Sequence, residues 1–143
     1  MKIVNRKAKF EYEILNTYVA GIVLQGSEVK SIRNGRCNIS DSFCIVDNNE
    51  VILKNCHISK YDSDKFTNHE ELRDRKLLLT KKEILKLKEK SQIAGITIIP
   101  LKLFLQHNLI KVEIGLCKGK KLYDKRESIK ERDIERELSR IKF

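Results

Sequence analysis

The side chains best suited to chemistry are basic, and they are densest near the C-terminal end of the chain. Five cations lie within nine residues around one tyrosine: Lys118, Lys120, Lys121, Lys125, Arg126 and Tyr123. Lysine and arginine neutralise phosphates, and an exposed aromatic ring can stack on an unpaired base. The cluster therefore predicts contact with nucleic acid, and the alternative is a solvated basic linker with a packed tyrosine.

Groups that could support catalysis are scattered. His57, Asp62 and Asp64 fall in or beside a polar stretch and suggest a metal-dependent nuclease as the enzyme alternative, but no second ligand cluster accompanies them. The sequence contains no phosphate-binding P-loop, nucleophile elbow or dinucleotide fingerprint. His69 and His107 fall in predicted loops, where we expect them to be exposed. We predict a protein that is not an enzyme and needs neither a cofactor nor a metal.

The four cysteines are Cys37, Cys44, Cys56 and Cys117, and none forms a C-x-x-C pair. Apolar neighbours surround most of them, so they are interpreted as reduced, small hydrophobic residues. A zinc site that uses Cys56 and His57, and a structural disulfide, are the alternatives.

Composition favours a polyanionic partner. The 143 residues, 41% of them apolar, are enough for one modest domain plus a tail, and the formal charge is +10. Nucleic acid is the leading candidate. No apolar run approaches the roughly 20 residues of a membrane-spanning helix, and no signal peptide is visible. We expect a cytoplasmic protein with no membrane contact.

The first half of the chain predicts strands around one short helix. Residues 2–9 are basic and are interpreted as an arm, which either contacts phosphate or is solvated. Residues 10–24 alternate as a long strand with a kink or bulge at Gly21. Residues 26–35 predict a helix that ends at Gly35, with Lys30 and Arg33 on one exposed side.

A hairpin and a long loop follow. Residues 41–47 and 50–58 predict two strands joined by Asp47, Asn48 and Asn49, since asparagine tolerates positive φ. Residues 59–75 are polar and show no regular period, so they predict a loop that ends in a basic cluster of Arg73, Arg75 and Lys76.

A capped helix and a second hairpin complete the predicted domain. Thr80 and Glu83 form a capping box for a helix that ends near Ala94, with Gly95 as its stop. Residues 96–106 and 109–117 alternate as two strands around a turn at 107–108. Pro100 has no N–H for a ladder, so it should lie at an edge or a bulge.

These elements predict a mainly β fold: a small antiparallel barrel of the oligonucleotide-binding (OB) kind with embedded short helices, because closure protects strand edges and leaves a face for nucleic acid. A sandwich is the alternative. We place the barrel with its basic N-terminal arm at residues 1–117 and a basic tail at residues 118–143.

The tail predicts a conditional helix. Over residues 127–141, Arg132, Arg136 and Arg140 follow an i, i+4, i+8 spacing on one face. The apolar stripe is narrow, so we expect the segment to become helical only with a partner. A solvated helix that lies on its own domain is the alternative.

Several motifs together resemble one family. The chain carries NRKA at 5–8, GSEVKSIRNG at 26–35, NISDSF at 38–43, RDRKLLL at 73–79 and KGKKLYDKR at 118–126, followed by IKER at 129–132. In this order and spacing the chain resembles the bacterial SsrA-binding protein family, also called small protein B.

The resemblance implies an adaptor for transfer-messenger RNA (tmRNA). It implies an OB-like barrel that binds the tRNA-like domain of this RNA and brings it to ribosomes stalled without a stop codon, in trans-translation. It also implies a tail in the decoding centre of the small subunit and the empty mRNA channel, and delivery together with elongation factor Tu. We expect a monomer. A general binder of single-stranded or tRNA-like RNA is the competing interpretation.

The resemblance and the charge pattern together nominate site residues. The expected RNA-binding set of the barrel is Asn5, Arg6, Lys7, Tyr12, Lys30, Arg33, Arg73, Arg75, Lys76, Leu78, Leu116, Cys117 and Gly119. The expected ribosome-contacting set of the tail is Lys118, Lys120, Lys121, Tyr123, Asp124, Lys125, Arg126, Arg132, Arg136 and Arg140. Val19 stands where the family often has glutamate, and Thr80 where some members have asparagine.

Overall fold

The computed structural model of the chain describes residues 1–61 and 68–120. These ranges contain nine strands and three helices, in the order β1 Lys2–Val4, α1 Arg6–Glu11, β2 Tyr12–Ile22, α2 Gly26–Arg33, β3 Cys37–Asn38, β4 Phe43–Asp47, β5 Glu50–Lys54, β6 His57–Ile58, β7 Arg75–Leu78, α3 Lys81–Ser91, β8 Ile96–Gln106 and β9 Leu109–Gly119. The predicted tail helix, Asp62 and Asp64 lie outside them.

Six antiparallel strands connect in a nearly closed ring. β8 pairs with β9, β9 with β2, β2 with β7, β7 with β5 and β5 with β4. β4 returns to β8 through the single pair Cys44 and Ile98, which is the narrowest contact of the ring. The predicted mainly β, barrel-like fold is confirmed, in place of the sandwich.

The ring encloses the main hydrophobic core. Alternate residues of each strand face inward, so aliphatic side chains from every ring strand meet there. The core includes Leu53, Leu77, Leu103, Val112 and Ile114, all at most 1% exposed. α3 packs against β4, β8 and β9 and contributes the fully buried Leu87.

The N-terminal residues are part of the fold, so the predicted arm over residues 2–9 is wrong. β1 pairs with β8 from Lys2 opposite Phe104 to Val4 opposite Lys102. Asn5 then caps α1, because its Oδ1 accepts a hydrogen bond from the Ala8 N–H at 3.2 Å. The first long strand begins only after α1.

The predicted turns are confirmed. Asn48 and Asn49, between β4 and β5, have φ of 52° and 62°, and His107 and Asn108, between β8 and β9, have φ of 51° and 63°. Two-residue hairpins of this hand require positive φ at both positions. The exposed position predicted for His107 is also confirmed. Gly35 has φ of 73° after α2, as its predicted role requires.

The bulges are partly as expected. The ladder between β8 and β9 shifts register between Pro100 and Lys102, so the bulge predicted at the proline is confirmed. β2 shifts between Ile14 and Asn16 instead of at Gly21. Gly21 has a different role: a Cβ there would lie 3.3 Å from Leu78 Cβ, so glycine permits β7 to pack closely.

Two predicted elements are shorter than expected. The strand expected over residues 50–58 divides into β5 and β6, because Asn55 adopts φ of 56° between them. β6 pairs with β3 in a separate two-stranded sheet. The capping box of Thr80 and Glu83 is confirmed, but α3 ends at Ser91 rather than near residue 94.

Asn68 fixes the base of the predicted long loop. Its Oδ1 accepts from the Tyr61 N–H at 3.1 Å, and its Nδ2 donates to the Tyr61 carbonyl at 2.8 Å. Residues 62–67 lie between these two anchors, outside the described ranges.

The sheet continues past the predicted end of the barrel. β9 includes Lys118 and Gly119, which pair with Glu13 and Tyr12 of β2. Lys120 is also anchored, because its N–H donates to the Glu11 carbonyl at 2.8 Å and its Nζ to the Lys9 carbonyl at 2.9 Å. The last described residue, Lys120, is therefore fixed beside α1.

Candidate nucleic-acid interface

One candidate RNA-binding surface is the outer side of β7, β2 and β9, which we call the strand face. Gly21 lies opposite Leu78 on one neighbour and opposite Lys111 on the other. The Val23 N–H donates to the Lys76 carbonyl at 2.9 Å, so Lys76 lies next to Val23 on β7, two residues before Leu78. The predicted site residues Lys76 and Leu78 are thus brought together, and Lys111 joins them.

The strand face combines apolar area with positive charge. Leu78 is 52% exposed and Leu109 is 61% exposed, and Val19 and Val23 are also open to solvent. A groove of about 270 Å³ runs between Leu78, Leu109 and Lys111. Exposed apolar side chains suit the face of a base, while flanking lysines suit phosphates.

Lys76 can exchange its ion-pair partner, Glu50, for a phosphate. Its Nζ lies 3.1 Å from Glu50 Oε1, and both side chains are about half exposed. Exposed ion pairs contribute only about 0–1 kcal/mol to stability. A phosphate can therefore replace Glu50 at little cost to the fold.

The departure at Val19 has a structural counterpart on β9. Val19 lies directly opposite Glu113, which pairs with Lys102 Nζ at 3.4 Å. A carboxylate is therefore present beside this position even though residue 19 is valine.

The two cations of α2 lie apart from each other. Arg33 donates to the Asn108 carbonyl at 3.3 Å and so adjoins the Leu109 end of the strand face. Lys30 lies over the Tyr61 ring at 5.2 Å, beside the base of the long loop. Both are exposed, but only Arg33 extends the strand face.

A second candidate surface surrounds α1 and the end of β9, and we call it the α1 surface. Arg6 and Lys7 are exposed on it, and Lys120 is held there by α1 carbonyls. A groove of about 370 Å³ is lined by Lys7, Tyr12 and Phe43, among others. A hydrogen bond from Lys7 to Asp41, at 3.3 Å, raises the pKa of Lys7 above its ordinary value.

Tyr12 and Gly119 face each other across the ladder at this surface. Tyr12 is half-buried and packs on a small apolar cluster of Ala8, Ile99, Leu101 and Cys117. Gly119 is also partly accessible, whereas Lys118 is 8% exposed. The accessible part of the tail root is therefore Gly119 and Lys120.

The structure corrects the expected position of four site residues, whose side chains are interior: Asn5, Arg75, Leu116 and Cys117. Leu116 belongs to the main core, and Cys117, on the other side of the strand, belongs to the cluster beneath α1. Asn5 Nδ2 donates to the Pro100 carbonyl at 2.9 Å and to the Ile39 carbonyl at 3.3 Å. In this conformation their side chains stabilise the fold and do not form the surface.

Arg75 is fully buried because it completes an ion-pair network. Its Nε donates to Glu28 Oε2 at 2.6 Å, and its Nη1 donates to the Cys56 carbonyl at 2.5 Å. Further bonds reach the Glu70 and Glu71 carbonyls. The guanidinium therefore joins α2, the segment before β6 and the end of the long loop.

Sequence reasoning missed Lys111 on the strand face, and it missed Glu28, which positions two of the predicted arginines. Its Oε1 accepts from Arg73 Nη2 at 2.5 Å, so one buried carboxylate holds both arginines, and Arg73 keeps a 29% exposed side chain. Burial by itself raises the pKa of Glu28, but the bonds from Arg73, from the Gln25 N–H and from Arg75 outweigh burial and lower it. The sequence signal that could have indicated this role is that Glu28 is the one acidic residue in the basic motif at 26–35.

His69 is buried, so its predicted exposure is wrong. Its Nε2 donates to the Ile58 carbonyl at 2.8 Å, which leaves Nδ1 to accept from Ser27 Oγ at 2.7 Å. Both bonds tie the long loop to α2 and β6.

The remaining predicted site residues lie outside the described ranges: Lys121, Tyr123, Asp124, Lys125, Arg126, Arg132, Arg136 and Arg140. Within the described ranges no group of three or more His, Cys, Asp or Glu side chains is arranged to hold a metal ion. None of the helices in that part of the chain is long and apolar enough to cross a membrane.

The sequence model of the family described as SmpB protein matches residues 2–142. A curated relative from Acholeplasma laidlawii, named SsrA-binding protein, is 57% identical over 96% of this chain and 93% of its own. Relatives of the same name from Ligilactobacillus salivarius and Cytophaga hutchinsonii are 55% and 53% identical, over 95% and 100% of this chain and 88% and 94% of their own.

Comparison with solved structures agrees with the family match. A chain from the structure described as "tmRNA-SmpB: a journey to the center of the bacterial ribosome" superposes with a TM-score of 0.73. It is 40% identical to this chain, with coverage of 90% of this chain and 94% of that one. The family match over nearly the whole length and the shared fold lead to one conclusion: the chain belongs to the SmpB protein family.

Proposed function

We propose that this chain is an RNA-binding adaptor that binds the tRNA-like domain of tmRNA and acts with it on stalled ribosomes in trans-translation. The observation that carries the proposal is the 40% identity and 0.73 TM-score to a chain from a tmRNA–SmpB structure. Relatives at more than 50% identity are named for SsrA binding, which supports the same partner. The family is one of adaptors and not of enzymes.

The barrel supplies two surfaces for this RNA. On the strand face, Lys76, Lys111 and Arg33 neutralise phosphates while Leu78 packs on a base or ribose. On the α1 surface, Arg6 and Lys7 position a second backbone segment beside Tyr12. Arg73, fixed by Glu28 and bonded to the Val23 carbonyl, flanks the strand face. Lys30, beside Tyr61 at the base of the long loop, offers a further phosphate contact away from that face.

The tail is the ribosome-contacting part of the proposal. Lys118, Gly119 and Lys120 fix its origin, and from there Lys121, Lys125 and Arg126 contact rRNA phosphates while Tyr123 stacks on a decoding-centre base. The arginines at positions 132, 136 and 140 lie along the rRNA of the empty mRNA channel. Asp124 belongs to the same motif.

The remaining parts of the proposal concern the setting. The adaptor acts in the cytoplasm as a monomer and reaches the ribosome with tmRNA and elongation factor Tu. Sedimentation of the purified chain with and without tmRNA checks the stoichiometry, for which we expect one chain per RNA.

Competition binding tests the proposal. Labelled tRNA-like domain is bound to the full chain at about physiological salt, where nonspecific affinity is weak. We expect unlabelled tRNA-like domain to displace the label at equal concentration, and bulk tRNA or poly(U) to need at least about a hundredfold excess. Displacement by bulk tRNA or poly(U) at equal concentration would favour the general RNA binder and refute the specific adaptor.

A further inference from the structure

Two cysteine sulfurs approach each other at the main hydrophobic core, which includes Cys56 and against which Cys37 packs. Cys37 Sγ lies 3.8 Å from Cys56 Sγ, at the distance of a thiol hydrogen bond. Cys37 is half-buried in β3, and Cys56 is fully buried immediately before β6. Because Cys37 pairs with Ile58, and residues 56 and 58 are two apart, the two cysteines are diagonal neighbours at the ladder between β3 and β6.

Within the described residues, the other two cysteines make no hydrogen bond to the pair. Cys44 is buried in the same main core as Cys56, and burial, followed by the nearby Cys56 thiol, raises its pKa. Cys117 is buried beneath α1, where its thiol donates to the Gly115 carbonyl at 3.4 Å and burial raises its pKa to about 11. These two thiols are apolar core groups, as the sequence suggested.

The charges that face the pair are Arg75 and Glu28. Arg75 Nη1 donates to the Cys56 carbonyl, and Glu28 is bonded to the same guanidinium. The hydrogen bond from the Cys37 thiol, assisted by Arg75, lowers the pKa of Cys56, while the same bond and burial raise the pKa of Cys37. After the first proton is lost, the two sulfurs share the second, and the pair acts as one dithiol.

We propose that Cys37 and Cys56 form an oxidation site, where a peroxide converts the two thiols into an intramolecular disulfide. This use lies outside RNA binding and does not depend on the proposed function. It rests on the sulfur-to-sulfur distance, on the partial exposure of residue Cys37 and on the Arg75 guanidinium bonded to the Cys56 carbonyl.

The chemistry balances with one peroxide. With hydrogen peroxide as the oxidant, a thiolate sulfur of the pair attacks one peroxide oxygen and the O–O bond breaks. The departing hydroxide takes up a proton and becomes water. The oxidised sulfur is now a sulfenic acid. The second cysteine loses its thiol proton and its sulfur attacks the sulfenic sulfur, so that the S–S bond forms and the S–O bond breaks. The departing hydroxide takes up that proton and leaves as a second water. Two thiols are oxidised, and one peroxide is reduced to two waters.

Closing the bond requires a small movement. The sulfurs must approach from 3.8 Å to about 2.05 Å. Diagonal neighbours in a ladder are about 7–8 Å apart, slightly beyond the usual Cα separation of a disulfide. β3 must therefore move toward β6 by roughly 1 Å. A ladder of only two residue pairs that is separate from the barrel ring permits this movement.

The test uses the full-length reduced chain under native conditions. After hydrogen peroxide treatment and blocking of free thiols, we expect two blocked thiols instead of four and a mass loss of about 2 Da before blocking. Cleavage with trypsin and Asp-N separates Cys37, in residues 37–40, from Cys44, in residues 41–46, and from Cys56, in residues 55–60. The expected linked product joins 37–40 to 55–60.

Matched variants make the result specific. Cys117→Ser should still form the disulfide, whereas Cys37→Ser and Cys56→Ser, checked for folding by circular dichroism, should not. A second measurement compares native with urea-unfolded chain, and we expect the native pair to close at least about tenfold faster because the fold holds the sulfurs together. A link between Cys44 and Cys56, a disulfide between two chains, or equal rates in native and unfolded chain would overturn the proposal.

Discussion

Glu28 connects the stability of the fold to the presentation of its basic surface. One buried carboxylate accepts from Arg73 and Arg75, and Arg75 in turn holds the backbone of Cys56 and of residues 70 and 71. Loss of one member of a buried ion pair leaves an uncompensated charge, which typically costs 3–5 kcal/mol. The exposed edge of Arg73 therefore depends on a residue that RNA cannot reach.

Glu28→Gln is expected to lower the free energy of unfolding at pH 7 by about 3 kcal/mol. The pKa of Glu28 is lowered in the folded state, so its contribution is complete above the unfolded value of about 4.3 and is lost as pH falls through the folded value. In urea denaturation, the difference in the free energy of unfolding between wild type and variant should stay constant from pH 7 to about pH 5 and narrow as the pH falls below about 4.3.

Glu50→Gln is the matched control, since Glu50 pairs with Lys76 at the surface. It should change the free energy of unfolding by less than about 1 kcal/mol. A Glu28→Gln gap that stays constant from pH 6 to pH 3 would contradict the role given to the charge.

Lys76→Ala tests the strand face. We expect weaker binding of the tRNA-like domain, and a plot of log K against log salt concentration that is shallower by about one unit, because one phosphate contact is lost. The comparison is Lys82→Ala on α3, an exposed lysine of a different element, for which affinity and slope should not change. Equal effects of the two variants would mean that net charge, and not the strand face, determines affinity.

At the scale of elements, α1 shows how a distant contact defines local structure. Only Ala8 of its six residues is buried, so the sequence shows no helical repeat of apolar residues that would predict α1. Asn5 supplies both the cap and the attachment, through the Ala8 N–H and the Pro100 carbonyl. The Asn5 N–H also donates to the Leu101 carbonyl at 2.8 Å.

Asn5→Ala is therefore expected to reduce the free energy of unfolding by about 2–4 kcal/mol, from the lost cap and the unsatisfied buried carbonyls. Arg6→Ala, on the exposed side of α1, should change it by less than about 0.5 kcal/mol. Urea denaturation measures both. Weaker RNA binding by Asn5→Ala with unchanged stability would instead support the direct RNA contact expected from the sequence.

The hairpins were predictable because their signals are local. Alternating residues flank Asn48 and Asn49, which accept positive φ, and the same holds for the turn between β8 and β9. Arg75 was not predictable as an interior residue, because a basic cluster suggests a surface and its carboxylate partner is 47 residues away. The OB-like architecture and the basic cluster that contains Lys76 followed from the sequence pattern, and Leu78 was nominated by the family resemblance. The interior positions of Asn5, Leu116 and Cys117 depended on tertiary contacts.

At the scale of the whole molecule, the described part of the chain ends at an anchored residue, Lys120. β9 runs between β2 and β8 up to Gly119, and Lys120 is bonded to two α1 carbonyls. A chain cut after Cys117 would lose two residues of this strand. Cutting after Lys120 keeps every described contact and removes only residues 121–143.

The most direct test compares the full chain with the chain that ends at Lys120, on ribosomes stalled on a message without a stop codon. If the barrel binds tmRNA and the tail acts on the ribosome, the shorter chain should bind the tRNA-like domain within about threefold of the full chain, a difference below 1 kcal/mol, and tagging of the stalled product should be lost. Full tagging by the chain that ends at Lys120, or loss of its RNA binding while it remains folded, would contradict this division of roles.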